Sequence, residues 1–177
     1  MKRGEAVVVC LAQGLGIGRM RPAPGTWGSL LGVAWTAALL STGSPWAYGL
    51  GAMAGVMVAI PVCTAAERLL EAHDPPSVVI DEVVAMPVAF GGHVILWMAS
   101  GAGLPSWAMI PAWWPYLAAA FVLFRILDIA KPWPIRALQR LPGGHGVVLD
   151  DVAAALMAAA LLHAGTWGWF VVRLAMG

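Results

Sequence analysis

The sequence predicts an all-α, polytopic membrane helical bundle, with about five transmembrane helices and an N-terminal segment that re-enters or lies on the membrane. Three observations carry that prediction. Charged residues are 11% of the 177, against roughly 25% in soluble domains. Hydrophobic residues are 60%, and the mean hydropathy is +0.80. The charges are bunched: five in residues 1–21, six in 67–82, seven in 125–151 and Arg173 apart. Such a chain cannot coat a water-facing surface, and it is too apolar for disorder. A net charge of +1 offers no basic field for nucleic acid. The length suits one domain over 1–177.

The elements follow from the uncharged stretches 22–66, 83–124 and 152–172. A span takes about 20 residues, so the first two stretches hold two spans each and the third holds one. Ser41-Thr42-Gly43-Ser44-Pro45 splits the first stretch. The second breaks from Ser100 through Gly101, Gly103 and Pro105 to Pro111 and Pro115. The predicted spans are 27–41, 46–65, 83–99, 113–130 and 152–172, the first short enough to be tilted or only partly inserted. Residues 6–18 form the sixth, re-entrant or interfacial segment. Ten Trp suit the two membrane interfaces. Cys10 and Cys63, both inside apolar runs, are packing residues and make neither a metal knuckle nor a disulfide framework. No cleavable signal peptide is expected, because Ala6–Leu11 is short and no A-x-A site follows.

Five spans put the N-terminus, loop 66–82 and loop 131–151 on one side, with eight Lys and Arg against Arg173 alone on the other. Lys and Arg favour the cytoplasm, so that side is predicted to be cytoplasmic. The same side holds every Asp and Glu. Orientation bias accounts for the cations but not for nine carboxylates, and a working site on that face accounts for both.

The candidate site follows from the polar residues at span ends. Asp81-Glu82 opens the third span, Asp128 ends the fourth and Asp150-Asp151 opens the fifth. Complementing a helix dipole would explain any one of these. Three clusters on one face call for a cation, and oxygen ligands suit a hard ion such as Mg²⁺ or Mn²⁺. Arg125 and Asp128 share a helix face at i,i+3, where they form an intramembrane ion pair or part of the site. Lys131 and Arg136, in Lys131-Pro132-Trp133-Pro134-Ile135-Arg136, bring positive charge to the carboxylates, and cations with a hard metal suit a phosphate. In Pro24-Gly25-Thr26-Trp27-Gly28-Ser29, backbone N–H groups and the Thr26 and Ser29 hydroxyls could hold an anion, or could simply cap the helix. Gly14-x-Gly16-x-Gly18 lacks the strand that a dinucleotide loop needs. The glycines of 143–146 are flexible enough to fold over a site. His145 reads as an acid or base, or as a solvated or supporting group, and His73 reads likewise. His93 and His163 belong to packing or the lipid interface, and Glu67, Arg68 and Glu71 to a solvated helix face.

At these residues the chain resembles the phosphatidylglycerophosphatase A family of bacterial membrane phosphatases. The resemblance covers roughly Gly14 to Ala159 in four ordered blocks. These are Pro24-Gly25-Thr26-x-Gly28-Ser29; Asp74 followed by Asp81-Glu82; Phe124-Arg125-Ile126-Leu127-Asp128-x-x-Lys131-Pro132-Trp133-Pro134-Ile135; and Gly143-Gly144-x-Gly146-x-x-x-Asp150-Asp151. The resemblance implies Mg²⁺-dependent hydrolysis of the terminal phosphate of phosphatidylglycerophosphate to phosphatidylglycerol, by an all-helical protein of the bacterial inner membrane. Its acidic positions fall on Asp81, Glu82, Asp128, Asp150 and Asp151, expected as catalytic and metal-holding. Its basic positions fall on Arg125 and Lys131, which join Thr26, Ser29 and Arg136 as the expected phosphate-binding set. Ala85 and Ala155 stand where the family usually has Gly, and Ile17 where it has a small polar residue, departures that bear on helix packing.

Other phosphatase chemistries lack their residues. Neither Cys10 nor Cys63 has the Arg of a cysteine-phosphatase loop, since Gly16 and Leu69 occupy that position. No Asp-x-Asp and no Ser-Gly-His block occurs. Attack by water or by a carboxylate nucleophile remains. A small transporter would instead predict polar residues threading toward both sides, and a non-catalytic lipid-binding subunit would tolerate loss of the carboxylates.

Overall fold

A computed structural model describes residues 2–101, 104 and 110–176. These form seven α-helices, one 3-10 turn and no strand. In order they are α1 (Arg3–Ala12), the turn Ile17–Arg19, α2 (Pro24–Leu40), α3 (Pro45–Leu70), α4 (Ile80–Ala99), α5 (Ile110–Ala130), α6 (Ile135–Leu138) and α7 (Gly144–Met176). Most of the second predicted turn, 102–103 and 105–109, lies outside the described residues.

Four helical stretches are long and apolar enough to cross a membrane: Pro45–Leu70, Ile80–Ala99, Trp113–Ala130 and Gly144–Gly168. The fifth expected span is α2. Its 17 residues measure about 25 Å, somewhat less than the roughly 30 Å hydrocarbon core. The predicted segment 6–18 becomes α1 and the following turn. At 10 residues, or about 15 Å, α1 is too short to cross and packs against α3.

Predicted span ends move outward at the charged side, 152 to 144 and 65 to 70. Sequence reading stopped at charges. Helical hydrogen bonding does not, because a helix end leaving the hydrocarbon can carry ionised side chains. Asp150 and Asp151 therefore lie inside α7, not at its start.

Helix α4 occupies the centre and touches α2, α3, α5 and α7. Small residues allow this. Ala59, Cys63, Ala66, Ala85, Ala89, Ala154, Ala155 and Ala158 are all fully or almost fully buried, as expected where apolar lipid supplies no drive for association and close packing must. Ala85 and Ala155, the two departures from glycine, fit in this core. Gly32 of α2 meets α4 so closely that an added Cβ would lie 2.7 Å from Met86 Cγ and 2.8 Å from the Val83 carbonyl oxygen. Phe90, Met86, Phe124 and Leu40 fill the larger spaces. The Tyr48 hydroxyl donates to the Pro87 carbonyl at 2.7 Å, a polar link between α3 and α4. Trp35, Met53, Met57, Ile95, Val122 and Ile126 are exposed. That outward apolar surface is what lipid requires.

At the charged end the chain is tied together by its N-terminal segment. The Val79 amide donates to the Ala12 carbonyl at 2.9 Å. The Gln13 side chain donates to Ser77 Oγ at 3.1 Å and accepts from Arg19 Nε at 2.7 Å. Glu67, expected on a solvated face, instead braces the loop: it pairs with His73 at 2.6 Å and accepts from the Asp74 amide at 2.8 Å. The His73 ring itself is exposed.

The α2–α4 contact generates a stability prediction. Gly32→Ala should lower stability by about 1–3 kcal/mol, the usual cost of overpacking, read as a lower midpoint of thermal unfolding in detergent. Gly49, with nothing within 4 Å of its added Cβ, should accept Ala at no loss or with a gain of about 0.5–1 kcal/mol. Equal midpoints for the two variants would remove the close approach as the explanation.

Candidate active site

The first turn of α4 carries Asp81 and Glu82, the last turn of α5 carries Asp128, and the second turn of α7 carries Asp150 and Asp151. All five line one cavity of about 390 Å³ at the charged end of the bundle, together with Arg125 and Lys131. The roof is the start of α2, through Ala23, Pro24 and Gly25.

Asp74 also lines the cavity and is the residue that sequence reasoning did not assign to it. Two signals were present: Asp74 sits in the acidic cluster 67–82, and it belongs to the same block as Asp81-Glu82. Its position depends on a left-handed backbone turn, φ 48°, and on the Gln139 side chain, which donates to Asp74 Oδ2 at 3.3 Å. Neither is visible in a linear pattern.

Six carboxylates thus share the cavity with two cations. Arg125 Nη1 donates to Asp128 Oδ2 at 2.7 Å and lies 3.8 Å from Glu82 Oε1. Lys131 Nζ donates to Asp150 Oδ2 at 2.5 Å. Lys131 itself has φ 42°, a backbone region that favours glycine, and its bond to Asp150 crosses from the end of α5 to α7. Burial works against charge on its ammonium, but the bond to Asp150 and the nearby Asp151 and Asp128 carboxylates outweigh it and raise its pKa. Asp128 and Asp150 therefore have partners. Asp81 Oδ1, Glu82 Oε2 and Asp151 Oδ2 are buried and have none. Oxygens of these three residues all lie within 4.8 Å of one another.

Buried, unpartnered carboxylate oxygens gathered so closely repel one another and forgo hydration. A hard divalent cation resolves both costs, and three carboxylates are a suitable donor set for one. Arg125 Nε, also buried without a partner, faces the opposite need and suits an anion.

The glycine block acts through its lack of side chains. An added Cβ at Gly25 would run into Glu82 Oε1 and come within 3.1 Å of Arg125 Nη2. At Gly28 it would lie 2.7 Å from Val79 Cβ and 3.4 Å from Glu82 Oε2. Ser29 does not line the cavity. Its hydroxyl donates to the Gly25 carbonyl at 2.8 Å and accepts from Arg125 Nη1 at 3.4 Å, bracing both. Thr26 does not line it either, and neither hydroxyl caps α2. Arg136 faces a neighbouring cleft that shares Lys131 with the cavity. His145 is exposed and outside the cavity.

The flap expected from glycines 143–146 is corrected. Gly144 begins α7 and packs against α3, its amide donating to Thr64 Oγ1 at 2.9 Å, where an added Cβ would strike the Ile60 carbonyl. Gly143 and Gly144 let α7 touch α3, and Gly146 makes room for the Gln139 and Leu141 carbonyls. These glycines do not cover the cavity.

A family model described as Phosphatidylglycerophosphatase A matches residues 10–166. The chain belongs to that family. Among proteins of the family, phosphatidylglycerophosphatase A of Escherichia coli is 36% identical over 155 residues, covering 86% of this chain and 80% of the relative. That of Haemophilus influenzae is 36% identical over 155 residues, covering 87% and 85%. A Bacteroides thetaiotaomicron protein that carries the provisional name phosphatidylinositol-3-phosphatase is 33% identical over 174 residues, covering 94% and 98%. No solved structure matches the chain. The family assignment makes the chain a phosphoric monoester hydrolase that works on membrane lipid.

The Gly25 contact yields a prediction about rate. Gly25→Ala should displace the Glu82 carboxylate and lower the hydrolytic rate about 10²-fold, as misplacement of a reacting group by an ångström can, while the unfolding midpoint stays within a few degrees. A variant with a normal rate would show that α2 need not approach Glu82 so closely.

Proposed function

We propose that this protein is an Mg²⁺-dependent phosphatidylglycerophosphatase of the bacterial inner membrane, with its site on the cytoplasmic face. It removes the terminal phosphate of phosphatidylglycerophosphate, leaving phosphatidylglycerol and inorganic phosphate. The observation that carries the reading is the trio Asp81, Glu82 and Asp151, each with one buried oxygen that has no partner, beside Arg125 and Lys131 at the ends of apolar helices. The names of the Escherichia coli and Haemophilus influenzae relatives support the substrate.

Asp81, Glu82 and Asp151 would hold the metal, with Asp128 and Asp150 tied to the cations behind them. A hard divalent cation there neutralises the carboxylates and polarises phosphoryl oxygens. Arg125 presents a planar fork to the phosphate, kept in place by Asp128 and Ser29. Lys131 adds charge at the rim and orients Asp150. In the reaction the bond from phosphorus to the glycerol oxygen breaks, a water oxygen ends on phosphorus, and one proton ends on the departing glycerol oxygen. The acyl chains stay among the lipids while the phosphate enters at headgroup depth, so remote apolar contacts help to position the reacting group.

One observation favours a second substrate. The relative that spans 94% of this chain is provisionally named for a phosphoinositide monoester, which also presents a phosphate on a polyol beyond the lipid's first phosphate. Phosphate release from both lipids by the purified protein decides between them, with glycerol phosphates as soluble controls.

Three expected outcomes test the proposal. Glu82→Gln and Asp151→Asn should each abolish phosphate release and also weaken Mn²⁺ binding measured by electron paramagnetic resonance; unaltered metal binding in both would sink the metal assignment. Arg125→Lys should cost roughly 10²-fold in rate, and full turnover would reduce Arg125 to a structural partner of Asp128. In a Cys10→Ser background, Ser41→Cys and Ser100→Cys should label from outside intact cells, and His145→Cys only after permeabilisation. Outside labelling at 145 would reverse the orientation.

A further inference from the structure

Between α5 and α7 the chain folds back through Pro132-Trp133-Pro134 and the short α6, pivoting on the fully buried Ile135. This fold-back makes a second cleft of about 390 Å³, lined by Lys131, Trp133, Arg136 and Arg140. Its chemistry is the reverse of the catalytic cavity's. No carboxylate lines it, whereas six line its neighbour. Arg136 and Arg140 are exposed, both line the cleft, and neither makes an ion pair with a described residue. Lys131 lines both spaces, so they abut, and its ammonium is already engaged by Asp150.

Resting on the function proposed above, we infer that this cleft receives the phosphodiester of the lipid substrate, and that Arg136 and Arg140 select lipids carrying a diester as well as a terminal monoester. The substrate has two phosphates separated by one glycerol, and the protein has a carboxylate-lined cavity suited to a metal and a cationic cleft, adjacent and sharing one lysine. The divisions of charge match. A diester carries one negative charge and is not cleaved in this reaction, so guanidinium groups suffice to hold it. The terminal monoester carries more charge and needs the carboxylate-held metal. Location fits as well. Ile126 and Ile129 of α5 are exposed, Ile129 at the edge of the catalytic cavity, and the same helix ends at Ala130 on the wall of the cleft. Trp133, 85% exposed at its mouth, has the amphipathic ring suited to the interface where the diester of a phospholipid lies.

The test compares two lipids in mixed micelles: phosphatidylglycerophosphate, with diester and monoester, and phosphatidic acid, with the monoester alone. The double variant Arg136→Gln/Arg140→Gln should raise KM for the diester lipid about tenfold or more, the usual scale for losing charge-assisted hydrogen bonds, with little change in kcat. Its effect on phosphatidic acid should be less than twofold, so the preference between the lipids collapses. Arg136→Lys/Arg140→Lys should recover most of the preference. Arg68→Gln, an exposed cation outside both spaces, should leave the preference intact and controls for lost surface charge. Equal losses on both lipids, or an unchanged KM for the diester lipid, overturns the inference. If the unaltered protein releases phosphate from neither lipid, the proposed activity itself falls, and the cleft assignment with it.

Discussion

Repulsion among buried carboxylates is the constraint around which this molecule is organised. Asp81, Asp128, Asp150 and Asp151 are each less than a tenth exposed, and Glu82 and Asp74 stand beside them. Such a cluster opposes folding unless cations enter it. Two enter from the protein itself: Arg125 one turn before Asp128 on the same helix, and Lys131 from the residue after α5. Removing either would leave its partner buried and unpaired, a larger loss than the net worth of the pair.

That polar centre depends on apolar packing at some distance. Helices α4, α5 and α7 bring their acidic turns to one point only because their mid-sections lie against each other closely, through alanines on α3, α4 and α7 and through Gly32 on α2. Bulkier residues at those contacts would splay the helix ends, and the oxygens now within 4.8 Å of one another would separate. The N-terminal segment works at the same end: hydrogen bonds from Val79 and Gln13 hold the loop that leads into Asp81. The site is preorganised by structure that lies outside it.

Location then suits the task. Spans that are apolar outside and packed inside keep the protein in the bilayer, and ionisable groups at their ends stand at headgroup depth. A lipid phosphate therefore need not leave the membrane to meet them. The other end of the bundle carries no acidic residue at all, which concentrates the protein's chemistry on one surface.

Much of this was legible in linear form. The bunching of 18 of the 19 charges into three clusters determined where the helices could cross, because hydrocarbon excludes charge, and it brought Asp81-Glu82, Asp128 and Asp150-Asp151 to one side. The four ordered blocks pointed to the family. Tertiary structure alone decided the division of labour among these residues. It paired Asp150 with Lys131, chose the ion pair that the i,i+3 spacing had offered Arg125 and Asp128, and left Asp81, Glu82 and Asp151 each with a bare oxygen. It drew Asp74 into the cavity through a left-handed turn, and made Ser29 a brace for Arg125 in place of a cavity wall. It turned glycines 143–146 from an expected flap into a helix contact, and it sent Arg136 to the adjoining cleft. The reason is physical: position along a membrane chain follows from hydropathy, which each residue carries by itself, whereas partnership depends on distances between segments that can lie far apart in the chain, 65 positions for Asp74 and Gln139 and 96 for Ser29 and Arg125.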